Sequence, residues 1–134
     1  MLSALLLVQL TACAAMTGII WMVQIAIYPL FARLEGEAFN DYHKRYMARV
    51  TYVIAPLMLI EAASCAAFLY LGDWQEMIPS FLLLTMAWAS TALIQVPQHA
   101  KLTPKTVPAL INFNWIRTIA WTTRTVLLTS MAFG

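Results

Sequence analysis

The sequence predicts an all-α integral membrane protein, a four-helix bundle with antiparallel up-down-up-down topology. Of its 134 residues, 62% are hydrophobic and 10% are charged, whereas soluble domains are about 25% charged. Apolar stretches of about 20 residues, long enough to cross a bilayer, occur four times. The connections between them are short, so consecutive stretches are expected to run in opposite directions. The chain, residues 1–134, is therefore predicted to be a single transmembrane domain.

The four predicted spans cover residues 2–31, 50–71, 77–96 and 107–133. The first would be roughly 45 Å long as a helix, at ~1.5 Å per residue, whereas the hydrocarbon core is ~30 Å thick. We therefore expect this span to tilt, to bend near Pro29, or to emerge into water.

An amphipathic helix is predicted between the first two spans. Apolar side chains recur there at helical spacing, at Phe39, Tyr42, Tyr46 and Val50, while charged residues fall mainly on other faces. This pattern is typical of a helix on the membrane surface. We expect it to continue directly into span two, with Tyr42 and Tyr46 anchoring it at the inner surface.

The basic residues predict the orientation of the chain. Two connections on one side contain Arg33, Lys44, Arg45, Arg49, Lys101 and Lys105. The opposite side has none and carries Asp73 and Glu76. Cytoplasmic loops are enriched in lysine and arginine, so we expect an inner-membrane protein with both termini on the non-cytoplasmic side. The basic residues form no tract that could follow phosphates, so nucleic-acid binding is not expected.

An alternative reading of the N-terminus is a lipoprotein signal, because Leu10-Thr11-Ala12-Cys13 fits a lipoprotein cleavage box. No basic residue precedes this apolar run, and more apolar residues follow Cys13. A signal would carry basic residues before its apolar part. We therefore expect an uncleaved span.

Two arginines interrupt the fourth span. Asn114, Arg117, Trp121 and Arg124 lie on one face of a helix, at spacings of three and four residues. An arginine near the centre of a lone membrane helix costs about 2.5–3.5 kcal/mol on insertion scales. We therefore expect this polar and aromatic face to point into the bundle.

Span two contributes Glu61, which we expect roughly 16 Å deep and between the two guanidinium groups. One interpretation is a structural triad of Glu61, Arg117 and Arg124, with the excess positive charge hydrated. The other is a cationic pocket for a lipophilic molecule with an acidic or phenolic group. In the second case Gln24, Gln95, Asn114, Trp121 and Arg124 are the candidate ligand-binding residues.

The two histidines give weaker signals. His99 follows Pro97 at the cytoplasmic end of span three, and His43 is expected to face water or headgroups. Ligation of a haem or bacteriochlorophyll by either histidine stays an alternative, although one histidine without a partner at matching depth is weak evidence. No metal site and no cofactor are predicted.

Three sequence features together suggest a family. They are Tyr28-Pro29 late in span one, Pro97-Gln98-His99 after span three, and Asn112-Phe113-Asn114-Trp115-Ile116-Arg117-Thr118 opening span four. The chain thereby resembles the anthrone-oxygenase-like family of small four-span membrane proteins, whose distinctive motif here is Asn114-x-x-Arg117-Thr118. The family often has asparagine where His99 stands, and Arg124 is an addition in this chain.

The resemblance implies oxygenation of an aromatic substrate without an evident metal or flavin. Arg117 would stabilise the substrate anion, Asn114 and Gln95 would orient its oxygen atoms, and His99 or Glu61 would be the catalytic base. The partners expected are membrane lipid and a lipophilic small molecule.

A competing function is that of a non-catalytic accessory subunit of a larger membrane complex. Arg124 or the surface helix would then pair with an acidic residue of another membrane subunit. The absence of a specific catalytic motif favours this alternative. A small carrier or channel is less well supported, because paired repeats and broken helices are not evident in the sequence.

Overall fold

A computed structural model describes residues 1–72 and 74–134, and the regular structure within those ranges is entirely helical. Its long helices are α1 (Leu2–Phe31), α2 (Gly36–Leu71), α3 (Trp74–Ala100) and α4 (Val107–Phe133). The predicted all-α fold class is therefore confirmed. Asp73, which we placed on the outer side of the membrane, lies outside the described residues.

Three of these helices, α1, α2 and α3, are long and apolar enough to cross a membrane. Only 28–33% of the most apolar window of each helix is buried inside the protein. Large side chains such as Tyr52 and Leu93 are accordingly exposed, at 82% and 75%. Apolar outer surfaces of this extent need an apolar environment, which indicates a membrane protein. The fourth helix spans the predicted residues 107–133 but is not among these three.

The predicted surface segment and span two form one continuous helix, as expected. It runs without interruption from Gly36 to Leu71 and contains Pro56. Gly36 has a φ of 57°, a left-handed conformation that side chains disfavour, and this allows a sharp entry into α2. At the other end, a Cβ at Gly72 would lie 2.9 Å from the carbonyl oxygen of Phe68, so the tight exit from α2 also requires glycine.

Two π-helical turns interrupt α1 and α3 at matching places. They cover Val23–Ile27 and Thr91–Gln95, and each ends two residues before a proline, Pro29 or Pro97. Proline has no N–H and its ring clashes with the carbonyl four residues earlier, which lies inside the π-helical turn in both cases. The wider turn accommodates this clash. Both turns project polar side chains into the bundle.

The helices pack in a ring around a shared interior. α1 packs between α2 and α4, and α4 packs in turn against α3, whereas α2 and α3 contact each other less extensively. Between α1 and α4, Thr17 Oγ1 lies 2.7 Å from Thr125 Oγ1, and Trp21 Nε1 donates to Thr122 Oγ1 at 3.0 Å. The thinner contact between α2 and α3 leaves space at the site described next.

Candidate functional site

The polar face of α4 is buried, as the spacing predicts. Asn114, Trp121 and Arg124 are fully buried, and Arg117 is 6% exposed. The two arginines are seven residues apart and therefore about two helical turns from each other. They belong to separate hydrogen-bonded networks.

The first network, the Arg124–Glu61 network, is closed. Arg124 Nη1 forms a salt bridge with Glu61 Oε1, and both side chains are completely buried. Arg124 Nε donates to Ser80 Oγ at 3.0 Å, and Nη2 donates to Gln9 Oε1 at 2.9 Å. The other carboxylate oxygen of Glu61 accepts from Trp121 Nε1 at 3.0 Å. Four helices thus contribute to an electrically neutral, hydrogen-bonded cluster.

Our expectation that Glu61 lies between both guanidinium groups is wrong, because its hydrogen bonds go to Arg124 and Trp121. The suggestion that Arg124 pairs with another subunit is likewise contradicted. Its guanidinium is fully enclosed and neutralised within this chain.

The second network surrounds Arg117. Its Nε and Nη2 donate to Asn114 Oδ1 at 3.0 and 2.6 Å. Nη2 also lies 3.3 Å from both Tyr28 Oη and Gln95 Oε1, and Nη1 lies 3.5 Å from Thr91 Oγ1. All these partners are neutral, and no carboxylate in residues 1–72 or 74–134 comes within 4.0 Å of the guanidinium. The unmatched positive charge predicted from the sequence therefore resides at Arg117.

Asn114 and Gln24 support Arg117 from behind. Asn114 Nδ2 donates to Gln24 Oε1 at 2.8 Å, and Thr118 Oγ1 donates to the same oxygen at 3.0 Å. Gln24 Nε2 in turn donates to the Ile111 carbonyl at 3.1 Å. Since these groups are occupied by one another, Asn114 and Gln24 act as positioning residues for the guanidinium.

A cavity of about 220 Å³ lies against Arg117. Its lining comprises Val23, Tyr28, Tyr46, Met47, Val50, Thr51, Ile54, Ala55, Met58, Thr91, Gln95, Val96, His99 and Arg117. The walls are thus formed mainly by α2 and by the π-helical part of α3. Thr51 and Val96 are exposed, so the cavity reaches the outer surface between these two helices.

Of the predicted site residues, Gln95, His99 and Arg117 line this cavity. Five others do not line it: Gln24, Glu61, Asn114, Trp121 and Arg124. The reason is that a buried polar group is stable only when hydrogen-bonded. These five residues satisfy one another in the two networks, which leaves the cavity wall to their neighbours.

A chain of hydrogen bonds leads away from Arg117. Tyr28 Oη lies 2.9 Å from His99 Nε2 and 3.4 Å from Gln95 Oε1. His99 Nδ1 lies 2.9 Å from His43 Nε2. His43 is half-buried, so its ring stays partly exposed, as expected, while Nε2 is turned toward His99.

Sequence reasoning missed Tyr28 and His43 as members of the site. A signal for His43 was present, since Phe39, His43, Tyr46 and Val50 follow a spacing of four, three and four residues on one helical face. The contact of His43 with His99 was not predicted, because it depends on how α2 packs against α3.

Aromatic rings hold this part of α2 against α1. The ring of Phe31 packs edge-on against His43, Tyr42, Tyr46 and Phe39, at centroid distances of 5.2 to 6.1 Å. Contacts of this geometry stabilise by about 0.5–1.5 kcal/mol each. Tyr42 and Tyr46 therefore pack against α1 in addition to any contact with the membrane surface.

Potential metal ligands do not cluster in the described part of the chain. No group of three histidine, cysteine or carboxylate side chains there could hold a metal ion. Both ring nitrogens of His99 are already hydrogen-bonded, to Tyr28 and to His43.

Comparisons with known proteins return no match. No family model matches the chain, and neither the curated proteins nor the solved structures include a significant match. The resemblance to the anthrone-oxygenase-like family accordingly rests on the sequence motif alone.

Proposed function

We propose that the cavity binds a lipophilic molecule whose acidic or phenolic oxygen is held by Arg117. One observation carries this proposal: Arg117, a buried arginine that is 6% exposed and has no carboxylate partner among the described residues, lines an open cavity. Isolated charge is costly inside a membrane protein and usually marks a functional site. An anionic ligand oxygen would supply the missing negative charge and a charge-assisted hydrogen bond.

The size and shape of the cavity restrict the ligand. At about 220 Å³ it is smaller than the ~300–1,000 Å³ typical of ligand pockets. The polar head, of about the size of one or two fused rings, would enter beside Arg117. The remainder would extend between Thr51 and Val96 into the lipid, past apolar side chains such as Ile54 and Met58.

The same groups suit the oxygenation implied by the resemblance. A base removes a proton from the activated carbon of an anthrone-type substrate, and the resulting anion is stabilised by Arg117. The anion then reacts with dioxygen to give a hydroperoxide, which loses water to leave a carbonyl group. His99, acting through Tyr28 Oη, is the better candidate base, because both residues line the cavity whereas Glu61 is enclosed with Arg124.

The membrane arrangement we propose is four spans in up-down-up-down order, with α4 as the fourth. Its support is that contacts between α1 and α4 run in opposite directions, from Gln9 with Arg124 to Gln24 with Asn114. The connections after α1 and after α3 carry the basic residues, which favours a cytoplasmic position for both connections. Both termini would then lie on the non-cytoplasmic side of an inner membrane. The cavity then opens near the cytoplasmic surface.

Binding of 1,8-dihydroxyanthrone to purified protein in lipid nanodiscs tests the proposal. We expect saturable binding to the wild type, and an affinity at least tenfold lower in Arg117→Gln. The matched control is Arg45→Gln, which removes one arginine from the exposed Arg45–Asp41 pair and leaves binding unchanged. Consumption of dioxygen and formation of the anthraquinone, measured on the same samples, would distinguish turnover from binding.

Equal binding by wild type and Arg117→Gln would contradict the proposal. If the chain is instead extracted in mild detergent only at fixed stoichiometry with other membrane proteins, and wild type binds no phenol, the accessory-subunit alternative is favoured. The exposed basic residues Lys44, Arg45 and Arg49 of α2 would then be the first candidates for a partner contact.

A further inference from the structure

We propose that Tyr28, His99 and His43 form a proton path from the cavity to the surface where α2 begins. The inference rests on the proposed function, because the proton that travels along the path comes from the acidic group of the bound ligand. His43 is thereby assigned a role as the exit of the path.

The geometry is continuous over three helices. Tyr28 from α1 lines the cavity 3.3 Å from Arg117, His99 from α3 follows at 2.9 Å, and His43 from α2 follows at a further 2.9 Å. The planes of the two imidazole rings differ by only 11°. Each ring thus directs a nitrogen at the other along its own plane, which is the arrangement of an N–H···N hydrogen bond.

Hydrogens can be placed on this chain in two ways. In the first, Tyr28 donates to His99 Nε2, and His99 Nδ1 donates to His43 Nε2. In the second, His43 donates to His99 Nδ1, His99 Nε2 donates to Tyr28, and Tyr28 donates to Gln95 Oε1 at 3.4 Å. Each hydrogen bond between the three residues has one donor and one acceptor in both arrangements. The first becomes the second when one proton shifts along each of the two hydrogen bonds, while Tyr28 Oη gains a proton from the ligand and His43 Nδ1 loses one.

The transfer balances without any further reactant. The ligand O–H gives its proton to Tyr28 Oη, Tyr28 gives its own to His99 Nε2, and His99 gives the Nδ1 proton to His43 Nε2. The products are a ligand anion beside Arg117 and an imidazolium at His43. The proton on His43 Nδ1 then passes to water, which restores a neutral imidazole.

The surroundings of His43 favour release of the proton. The ring is half-buried and packs between Phe31 and Phe39, at centroid distances of 5.9 and 6.2 Å. The titratable and charged groups facing the path are Tyr28 from α1, Tyr46 from α2, His99 from α3 and Arg117 from α4. None of these is an acid that would form an ion pair, and no described carboxylate lies within 4.0 Å of either histidine. An imidazolium formed here is therefore not trapped.

The hydrogen bond between the histidines is tested first, on the protein without ligand. Protein labelled with ¹⁵N at histidine, in nanodiscs, should show a ¹⁵N–¹⁵N coupling across the hydrogen bond between His43 and His99. The coupling should disappear in His43→Gln. Its absence in the wild type would overturn the path.

Proton release on ligand binding is tested next, with 1,8-dihydroxyanthrone as the probe and a pH-indicator dye in stopped flow. In His43→Gln we expect proton release to slow at least tenfold while the Kd of the probe changes less than threefold. Lys44→Gln, an exposed neighbour, should release protons at the wild-type rate.

The outcomes separate this inference from the proposed function. Probe binding with unchanged proton release in His43→Gln rejects the path and leaves the binding site standing. Failure of the wild type to bind the probe rejects both, because the path then has no proton source.

Discussion

Arg117 and Arg124 are the same residue type on the same face of the same helix, yet their surroundings differ completely. Arg124 meets Glu61, Ser80 and Gln9 and is neutralised within a closed cluster. Among the described residues Arg117 meets neutral groups only, and it lines a cavity. The position on α4 therefore does not decide the role of an arginine. The role of each arginine depends on the side chains that α1, α2 and α3 place around it.

The two surroundings have different energetic consequences. Removing one partner of a buried ion pair leaves an uncompensated charge, so both partners are tightly linked to stability. A buried cation that lacks a counter-ion already carries that cost, and its removal relieves part of it. The comparison thus predicts that Arg124 serves stability and Arg117 serves binding.

The largest expected effect is that of Arg124→Gln. It leaves the carboxylate of Glu61 buried without its counter-ion and should lower the free energy of unfolding by about 3–5 kcal/mol. Unfolding in mixed micelles with increasing denaturing detergent measures this change. Arg45→Gln is the control, since the Arg45–Asp41 pair is exposed and its loss should cost below about 0.5 kcal/mol. A similar cost for both variants would refute the distinction.

Most of that loss should be recovered in the double variant Glu61→Gln/Arg124→Gln. Both charges are then absent, and an amide at position 61 still offers an oxygen to Trp121 Nε1. We expect the double variant to unfold within about 2 kcal/mol of wild type, because replacing a buried pair by neutral groups is far less costly than breaking it. Additive losses from the two single substitutions would show that the pair is not coupled.

An intermediate effect is expected for Asn114→Ala, which removes the support of Arg117. Gln24 loses a donor and the guanidinium loses its shortest hydrogen bond, so unfolding should become easier by about 1–3 kcal/mol. Binding of 1,8-dihydroxyanthrone should weaken as well, because the guanidinium is no longer held in place. Calorimetric titration of the same preparation would reveal either result, and full affinity in this variant would exclude a positioning role.

A smaller effect on stability is expected for Arg117→Gln. This change removes a charge without stranding a counter-ion, so we expect the free energy of unfolding to shift by less than about 1 kcal/mol. The same denaturing-detergent titration, run beside Arg124→Gln, gives the comparison directly. A loss as large as that of Arg124→Gln would mean that Arg117 also serves stability.

The smallest effect is expected at Ser90, next to the π-helical turn of α3. Its Oγ is buried and has no hydrogen-bond partner within the described part of the chain. Ser90→Ala removes this unsatisfied group, so stability should be unchanged or rise by up to about 1 kcal/mol. A measured loss above that size would indicate that the hydroxyl has a partner, such as a bound water.

Much of the fold was predictable from local patterns. The bounds of α1 and α4 agree with the predicted spans, and the amphipathic segment does continue into the second span as one helix. Apolar run length and helical periodicity are local properties, so they are readable without knowledge of the neighbours. The third helix, Trp74–Ala100, extends beyond the predicted residues 77–96. Its first and last turns contain polar residues, which interrupt the apolar pattern from which the span was predicted.

The site was predictable only in part. The face formed by Asn114, Arg117, Trp121 and Arg124 is buried, as its spacing predicts. The partners of these residues were not predictable, because Glu61 could reach either arginine at nearly the same depth. The contact between His43 and His99 was not predictable either, because the two residues are 56 positions apart in the sequence.

Composition and spacing determined that this chain is helical, that it is apolar enough for a membrane, and that it carries one more buried positive charge than negative. Those properties depend on each residue and its near neighbours along the chain. The tertiary structure alone decided which arginine keeps the excess charge, because a salt bridge requires two atoms within about 4 Å and that proximity is created by packing between helices. The same packing left α2 and α3 apart beside Arg117, and so placed the cavity there.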